Sequence, residues 1–215
     1  MSKFDDYKKW NDYEIGNIPF VGSNPHERQF FVNYVLENNY QHILECGPGE
    51  LVEYKKIKSI KQVNYNILEV SDLFISNCKK IFPEINIMKG AAESFISEKK
   101  YDLVYGSSVI EHFYNVQLGL SNLLKSSRNF FFSLFKWSHS GDLTSQYNTK
   151  KKYWTSVFNI DKLLDYINTI GVIRFVKIIK TDGVIEDYND YKKIIDTNGI
   201  QRNGYRLIIE GSSLS

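Results

Sequence analysis

The residues His42-Ile43-Leu44-Glu45-Cys46-Gly47-Pro48-Gly49-Glu50 run from an apolar stretch through an acid to two glycines one residue apart. This is the pattern of a strand ending in a tight loop. Glycine reaches positive φ at little cost and, lacking a Cβ, lets a ligand lie close against the backbone. A helix opening near Glu50 would turn its free N–H groups toward whatever sits over that loop. A second run, Val63 to Val70, carries an acid, Glu69, near its end, one β-α-β unit downstream. A carboxylate at that position accepts hydrogen bonds from the ribose hydroxyls of a nucleoside. Both signals have a plainer reading: glycine turns also follow strands that bind nothing, and Glu69 suits a solvated strand end.

Proton transfer points to the histidines, whose imidazoles titrate near neutrality. His112 follows the run Lys100 to Glu111, and His139 sits in a long polar connection, so these two are the candidate catalytic bases. A histidine that merely fastens the loop is the alternative for His112. His26, in the first turn of a helix, and His42, at the base of a strand, read as structural. No acid and histidine cluster has the spacing of a metal site, and Cys46 and Cys78 form neither a close pair nor a disulfide framework.

The elements that must position these residues alternate. Apolar strand runs at Ile43 to Cys46, Val63 to Val70, Ile85 to Met88, Leu103 to Tyr105 and Asn129 to Phe135 are separated by amphipathic segments from Glu50, over Asp72 to Ile81 and over Asn115 to Leu124. Such alternation predicts β-α-β units and a parallel sheet. The run Phe130-Phe131-Phe132 predicts a central strand buried on both faces. Upstream, Asn24-Pro25-His26-Glu27 predicts a helix start, with Asn24 as N-cap and Glu27 reaching back, and Phe30, Phe31, Tyr34 and Val35 share one face. Downstream come a polar connection from Phe135 to Tyr153, a helix capped by Asn159 or Asp161 and stopped at Gly171, strands at Ile173 to Ile179 and Tyr205 to Ile209, and a short helix around Tyr188 to Ile195. The expected division is an N-terminal arm and helix, residues 1–40, with Tyr7, Trp10, Tyr13 and Phe20 in the arm, followed by one α/β unit over 41–215.

A chain of 215 residues with 42% hydrophobic content is long enough for one well-buried core. Its 27 basic and 25 acidic residues are spread along the chain, which argues against a nucleic-acid footprint. The run Lys150-Lys151-Lys152 is the exception, and it reads as a solvated loop. The polar start of the chain lacks the apolar core of a signal peptide, and no stretch reaches bilayer length, so a soluble, cytoplasmic protein is expected.

Four segments, ILECGPGE, the strand ending LEVS, the strand leading to GAAE, and YDLVYGSSVIEH, resemble in order and spacing the class I S-adenosylmethionine-dependent methyltransferases. The resemblance covers Ile43 to His112. It implies a doubly wound, mostly parallel seven-stranded sheet with an antiparallel C-terminal strand pair, S-adenosylmethionine as cofactor, and no metal. It also implies roles: Glu45, Gly47 and Gly49 along the methionine part of the cofactor, Glu69 on the ribose, Ala92 and Glu93 beside the adenine, Ser107 and Ser108 bordering the reacting centre. Three positions depart from the pattern. Leu51 stands where a third glycine is common. Ala91 replaces an acid that accepts from the adenine amino group, so Glu93 or a backbone carbonyl must substitute. Gly106-Ser107-Ser108-Val109 replaces the Asp or Asn followed by Pro-Pro of enzymes that methylate base amines.

The expected function is methyl transfer to a small polar acceptor, a sugar or other metabolite hydroxyl. An RNA or protein methyltransferase and a non-catalytic, cofactor-binding partner subunit are the alternatives. A nicotinamide reductase would need glycine at Val52. Substitution of Gly47 by valine is expected to block the cofactor and leave the fold intact.

Overall fold

The computed structural model describes residues 24–149, 153–192 and 205–214. The aromatic residues of the arm, the lysine run at 150–152 and the connection over 193–204 lie outside the described residues. In chain order the elements are α1 (Pro25–Glu37), β1 (His42–Cys46), α2 (Val52–Lys58), β2 (Asn64–Glu69), α3 (Asp72–Ile81), β3 (Asn86–Lys89), β4 (Tyr101–Ser107), α4 (Val116–Lys125) and β5 (Ser127–Leu134). Short strands β6 (Trp137–Ser138), β7 (Gln146–Asn148), β8 (Tyr153–Thr155) and β9 (Phe158–Asn159) follow. The described chain then continues through α5 (Ile160–Ile170), β10 (Gly171–Ile179), β11 (Ile185–Asp187), α6 (Tyr188–Lys192) and β12 (Arg206–Ser213).

The main sheet has the order β11-β10-β12-β5-β4-β1-β2-β3. The strands from β5 to β3 are parallel, whereas β12, β10 and β11 pair antiparallel. This is the doubly wound α/β architecture the sequence predicts, with its antiparallel C-terminal pair, plus one more strand. That addition, β11, is a three-residue edge piece too short to carry a period.

Alternation along β5 explains the layers. Phe130 and Phe132 enter one core with residues of α4 and α5, while Phe131 enters the other with residues of α1, α2 and α3. All three rings are fully buried, each contributing about 1.5 to 3 kcal/mol of transfer free energy. The aromatic face of α1 is used as predicted: the ring of Phe31 stacks on Tyr105 at 3.5 Å and 9°, and Phe30 and Tyr34 pack on Phe131.

Caps fix most helix starts. Asn24 accepts from the amides of His26 and Glu27, Ser71 from Phe74, Asn115 from Leu118, and Asn159, rather than Asp161, from Lys162. Glu27 does not close a capping box, because its carboxylate is engaged by Ser107, Ser133 and Arg206. Gly171 ends α5 as the sequence predicts, without a left-handed turn. Its φ is −160°, extended, and the chain passes straight into β10. A side chain there would meet the Ser212 carbonyl at 2.9 Å. The polar connection after β5 is folded into two small pairs, β6 with β9 and β7 with β8. Among the described residues no helix is long and apolar enough to cross a membrane.

Candidate active site

Strand order reverses between β1 and β4, because the chain after β1 runs out to β2 and β3 and then returns to β4. The crevice beyond the carboxyl ends of such a pair is where open α/β sheets bind ligands. Parallel register brings Cys46 beside Leu68 and Glu45 beside Tyr105, and the amide of Gly47 donates to the Leu68 carbonyl at 2.9 Å. The glycine bend and Glu69 therefore share one rim.

Gly47 (φ 65°) and Gly49 (φ 57°) are both left-handed, and they differ in what surrounds them. A Cβ on Gly47 would lie 2.5 Å from Val109 Cγ2, whereas no atom of the described residues stands within 4 Å of one on Gly49. The expectation for Gly47→Val is thereby corrected: its side chain would strike the protein's own Val109, so the fold is not left intact. Among the described residues, Gly49 is the loop glycine whose Cβ position is open. Leu51 is also left-handed, at φ 56°, yet its side chain is fully buried with Tyr54 and Ile57, which explains how a leucine is held where glycine would be easier. Helix α2 begins at Val52 rather than Glu50 and has seven residues, with no side-chain cap, so the helix-end contribution expected from the sequence is small.

Beneath the loop, Glu45 is buried and accepts from the Tyr65 hydroxyl at 2.9 Å. Glu53 is buried close by, paired with Arg28 at 3.0 Å and accepting from the Tyr105 hydroxyl. Burial, reinforced by the charge of Glu53, holds Glu45 well above the usual carboxylate range against the opposing pull of Tyr65 and Arg28. Glu69 ends β2 with one carboxylate oxygen accepting from the amides of Val70 (2.7 Å) and Ser71 (2.8 Å). Burial outweighs these bonds and pushes its pKa up to about 7.

Ala92 and Glu93 lie in a 3-10 turn after β3. One carboxylate oxygen of Glu93 accepts from the amides of Tyr114 and Asn115, and the carbonyls of Ala92 and Glu93 both accept from the Asn122 side chain. Glu93 thus ties this turn to the segment after β4. Ser107 donates to Glu27 at 2.5 Å, and Ser133, opposite it on β5, donates to the same carboxylate oxygen. The second oxygen of Glu27 lies 3.0 Å from Arg206 Nε. Ser108 is left-handed, with φ 53°, and its amide donates to the Ser133 carbonyl.

The two candidate bases occupy separate surroundings. His112 Nδ1 lies 2.9 Å from the Trp154 carbonyl, which can only accept, so the proton sits on Nδ1 and the lone pair on Nε2. Its ring packs against Phe135 and Tyr153, and burial pushes its pKa down to about 4. His139 has Nδ1 3.5 Å from Asp161 and its ring parallel to Tyr188, and its buried Nε2 has no hydrogen-bond partner among the described residues.

Sequence reasoning missed the chemistry of Glu27, Glu53, Glu111 and Arg206. Glu111 was in view beside His112. Arg206 carried no signal at all, because only the antiparallel return of β12 brings it to this rim.

No family model and no curated protein matches the sequence. In structure, 966 chains match. The N-methyltransferase NodS of Bradyrhizobium japonicum, in complex with S-adenosyl-l-homocysteine, is 12% identical, with 98% of this chain and 100% of that one covered and a TM-score of 0.65. The magnesium protoporphyrin IX methyltransferase of Synechocystis, with bound S-adenosylmethionine, is 14% identical over 99% and 92%, at 0.62. An S-adenosylmethionine-dependent methyltransferase of Mesorhizobium loti is 11% identical over 86% and 97%, also at 0.62. The fold of this chain is that of the class I S-adenosylmethionine-dependent methyltransferases.

Proposed function

We propose that this chain is a methyltransferase that uses S-adenosylmethionine and acts on a small polar acceptor, a sugar or other metabolite hydroxyl. The observation that carries the reading is the shared rim at the switch point, where the open side of Gly49 and the carboxylate of Glu69 lie together. Structural neighbours whose names record S-adenosylmethionine or its demethylated product support it.

The residues present fit the cofactor. Gly47 and Gly49 would offer backbone to its methionine part above Glu45, Glu69 would accept from the ribose hydroxyls, Ala92 and Glu93 would flank the adenine, and Ser107 and Ser108 would border the reacting centre. When bound, S-adenosylmethionine supplies a methyl group made electrophilic by its sulfonium.

The chain's own task is then to orient the acceptor and receive its proton. His139 Nε2, unpartnered among the described residues, takes the hydroxyl proton, and the carboxylate of Asp161 beside Nδ1 stabilises the resulting imidazolium. His112, held through Nδ1 on the Trp154 carbonyl and packed against Phe135 and Tyr153, fastens the segment after β4 rather than taking part in the proton transfer. Calorimetry with S-adenosylmethionine, followed by a mass-spectrometric screen for acceptors that gain one methyl group, tests the reading. Absence of heat at millimolar ligand would leave a non-catalytic module, and strongly salt-dependent RNA binding would move the acceptor to RNA.

A further inference from the structure

The first turn of α1 reaches both walls of the crevice at the switch point. One wall is the glycine loop with the start of α2, and the other is the end of β4. Glu27 accepts from Ser107, the last residue of β4, at 2.5 Å. Its neighbour Arg28 donates to Glu53, the second residue of α2, at 3.0 Å, and the Glu53 side chain is only 2% exposed. Both carboxylates are tied further inward. Glu27 also holds Ser133 on β5 and Arg206 on β12, and Glu53 accepts from the Tyr105 hydroxyl of β4 at 3.3 Å. One turn later, Phe31 stacks on the ring of that same tyrosine.

Local structure holds the glycine loop and α2 weakly. Gly47, Gly49 and Leu51 are all left-handed, and α2 begins without a side-chain cap and runs for seven residues. A short, uncapped helix does little to fix its own first turn. Glu53 lies in that turn, so the bond from Arg28 is the anchor that Asn24, Ser71, Asn115 and Asn159 supply to other helices. A charge-assisted bond from a planar guanidinium fixes direction as well as distance. The bond of Ser107 to Glu27 does the same for the opposite wall. Because residues 27 and 28 are neighbours, one peptide unit sets the two walls relative to each other.

We infer that Glu27 and Arg28 form a clamp that sets the width of the cofactor crevice, with Arg28 a positioning residue that acts through Glu53 on the glycine loop. Cofactor affinity is then coupled to the seating of α1, and the coupling is reciprocal, so bound cofactor tightens the first turn of α1 in return. This inference rests on the cofactor-binding reading of the loop and deepens it, and the test separates the two.

S-adenosylhomocysteine binding is measured by calorimetry, stability by chemical denaturation and amide exchange by mass spectrometry, all on the full chain. In the wild type, saturating ligand is expected to slow exchange over residues 26–31 about tenfold. Arg28→Met leaves the Glu53 charge buried without its counter-ion, and is expected to lower the denaturation midpoint and weaken the ligand about tenfold. In the double variant Arg28→Met/Glu53→Met an apolar pair replaces the buried ion pair and restores the midpoint. Its ligand affinity is still expected to lie about tenfold below wild type, with faster exchange over residues 47–53. A merely structural pair gives the opposite result, affinity recovering together with stability. That recovery, wild-type affinity in Arg28→Met, or exchange in α1 that ignores the ligand overturns the clamp. If neither variant folds, the wild-type exchange measurement decides. A wild-type protein that binds no S-adenosylhomocysteine sinks the cofactor reading itself, and the clamp with it.

Discussion

At the scale of single residues, the two loop glycines answer different questions. A methyl on Gly47 collides with Val109 in a backbone already left-handed, so Gly47→Ala is expected to lower stability by about 2 kcal/mol or more. Gly49→Ala meets no neighbour among the described residues and costs about 1 kcal/mol for its positive φ. Its methyl projects into the space assigned to the cofactor. Denaturant titration should separate the two variants, and calorimetry should find Gly49→Ala folded but with weakened S-adenosylmethionine binding. Unweakened binding would move the cofactor away from this loop. Glu69 gives a second test. Its charged form is the better acceptor for ribose hydroxyls, and its pKa is pushed up to about 7. Cofactor affinity should therefore fall as pH drops below about 7 and level off above it, and Glu69→Ala should cost about 1 to 3 kcal/mol at pH 8. An affinity flat across this range in the wild type would detach Glu69 from the ribose. Glu45, Gly47, Gly49 and Glu69 were legible in the sequence because they belong to one local segment or to a strand end. Glu27 was misread as a cap residue because its partners Ser107, Ser133 and Arg206 come from three different strands, which no local pattern reveals.

At the scale of elements, legibility followed length. The boundaries of α3, and those of α4 to within one residue, were readable, since ten residues hold a full amphipathic period. Strands β6 to β9 and β11, two or three residues each, hold none, and the connection after β5 therefore read as loop. Its fold matters for the site, because β8 supplies the Trp154 carbonyl that sets the tautomer of His112. Helix α1 is fastened to the same rim by Glu27, whose partner Arg206 is buried with it. Glu27→Ala leaves that guanidinium without its counter-charge and Ser107 and Ser133 without their acceptor. The expected loss is about 3 to 5 kcal/mol of unfolding free energy. A chemical denaturation midpoint unchanged in this variant would show that α1 is held by its aromatic face alone.

At the scale of the whole molecule, the rim concentrates acids that burial keeps partly protonated. Glu45 is raised well above its ordinary range, and Glu69 and Glu111 each to about 7. In the unfolded chain all three titrate near the ordinary carboxylate value of about 4.3. Between that value and about pH 7 the folded protein holds more protons than the unfolded one, so stability falls as pH rises. His112 works the other way. Its pKa is lowered to about 4, so it favours the fold increasingly up to the ordinary histidine value of about 6.5 and adds little beyond it. From pH 6 to pH 8 Glu69 and Glu111 should each remove about 1 kcal/mol, partly offset by His112. The thermal midpoint of the free protein should drop over this interval. S-adenosylhomocysteine, which would bind the charged form of Glu69, should raise the midpoint more at pH 8 than at pH 6. Differential scanning calorimetry at both values, with and without the ligand, reads both effects. A ligand-induced rise that is the same at pH 6 and pH 8 would mean that Glu69 keeps its proton, and hence that the ribose is held elsewhere.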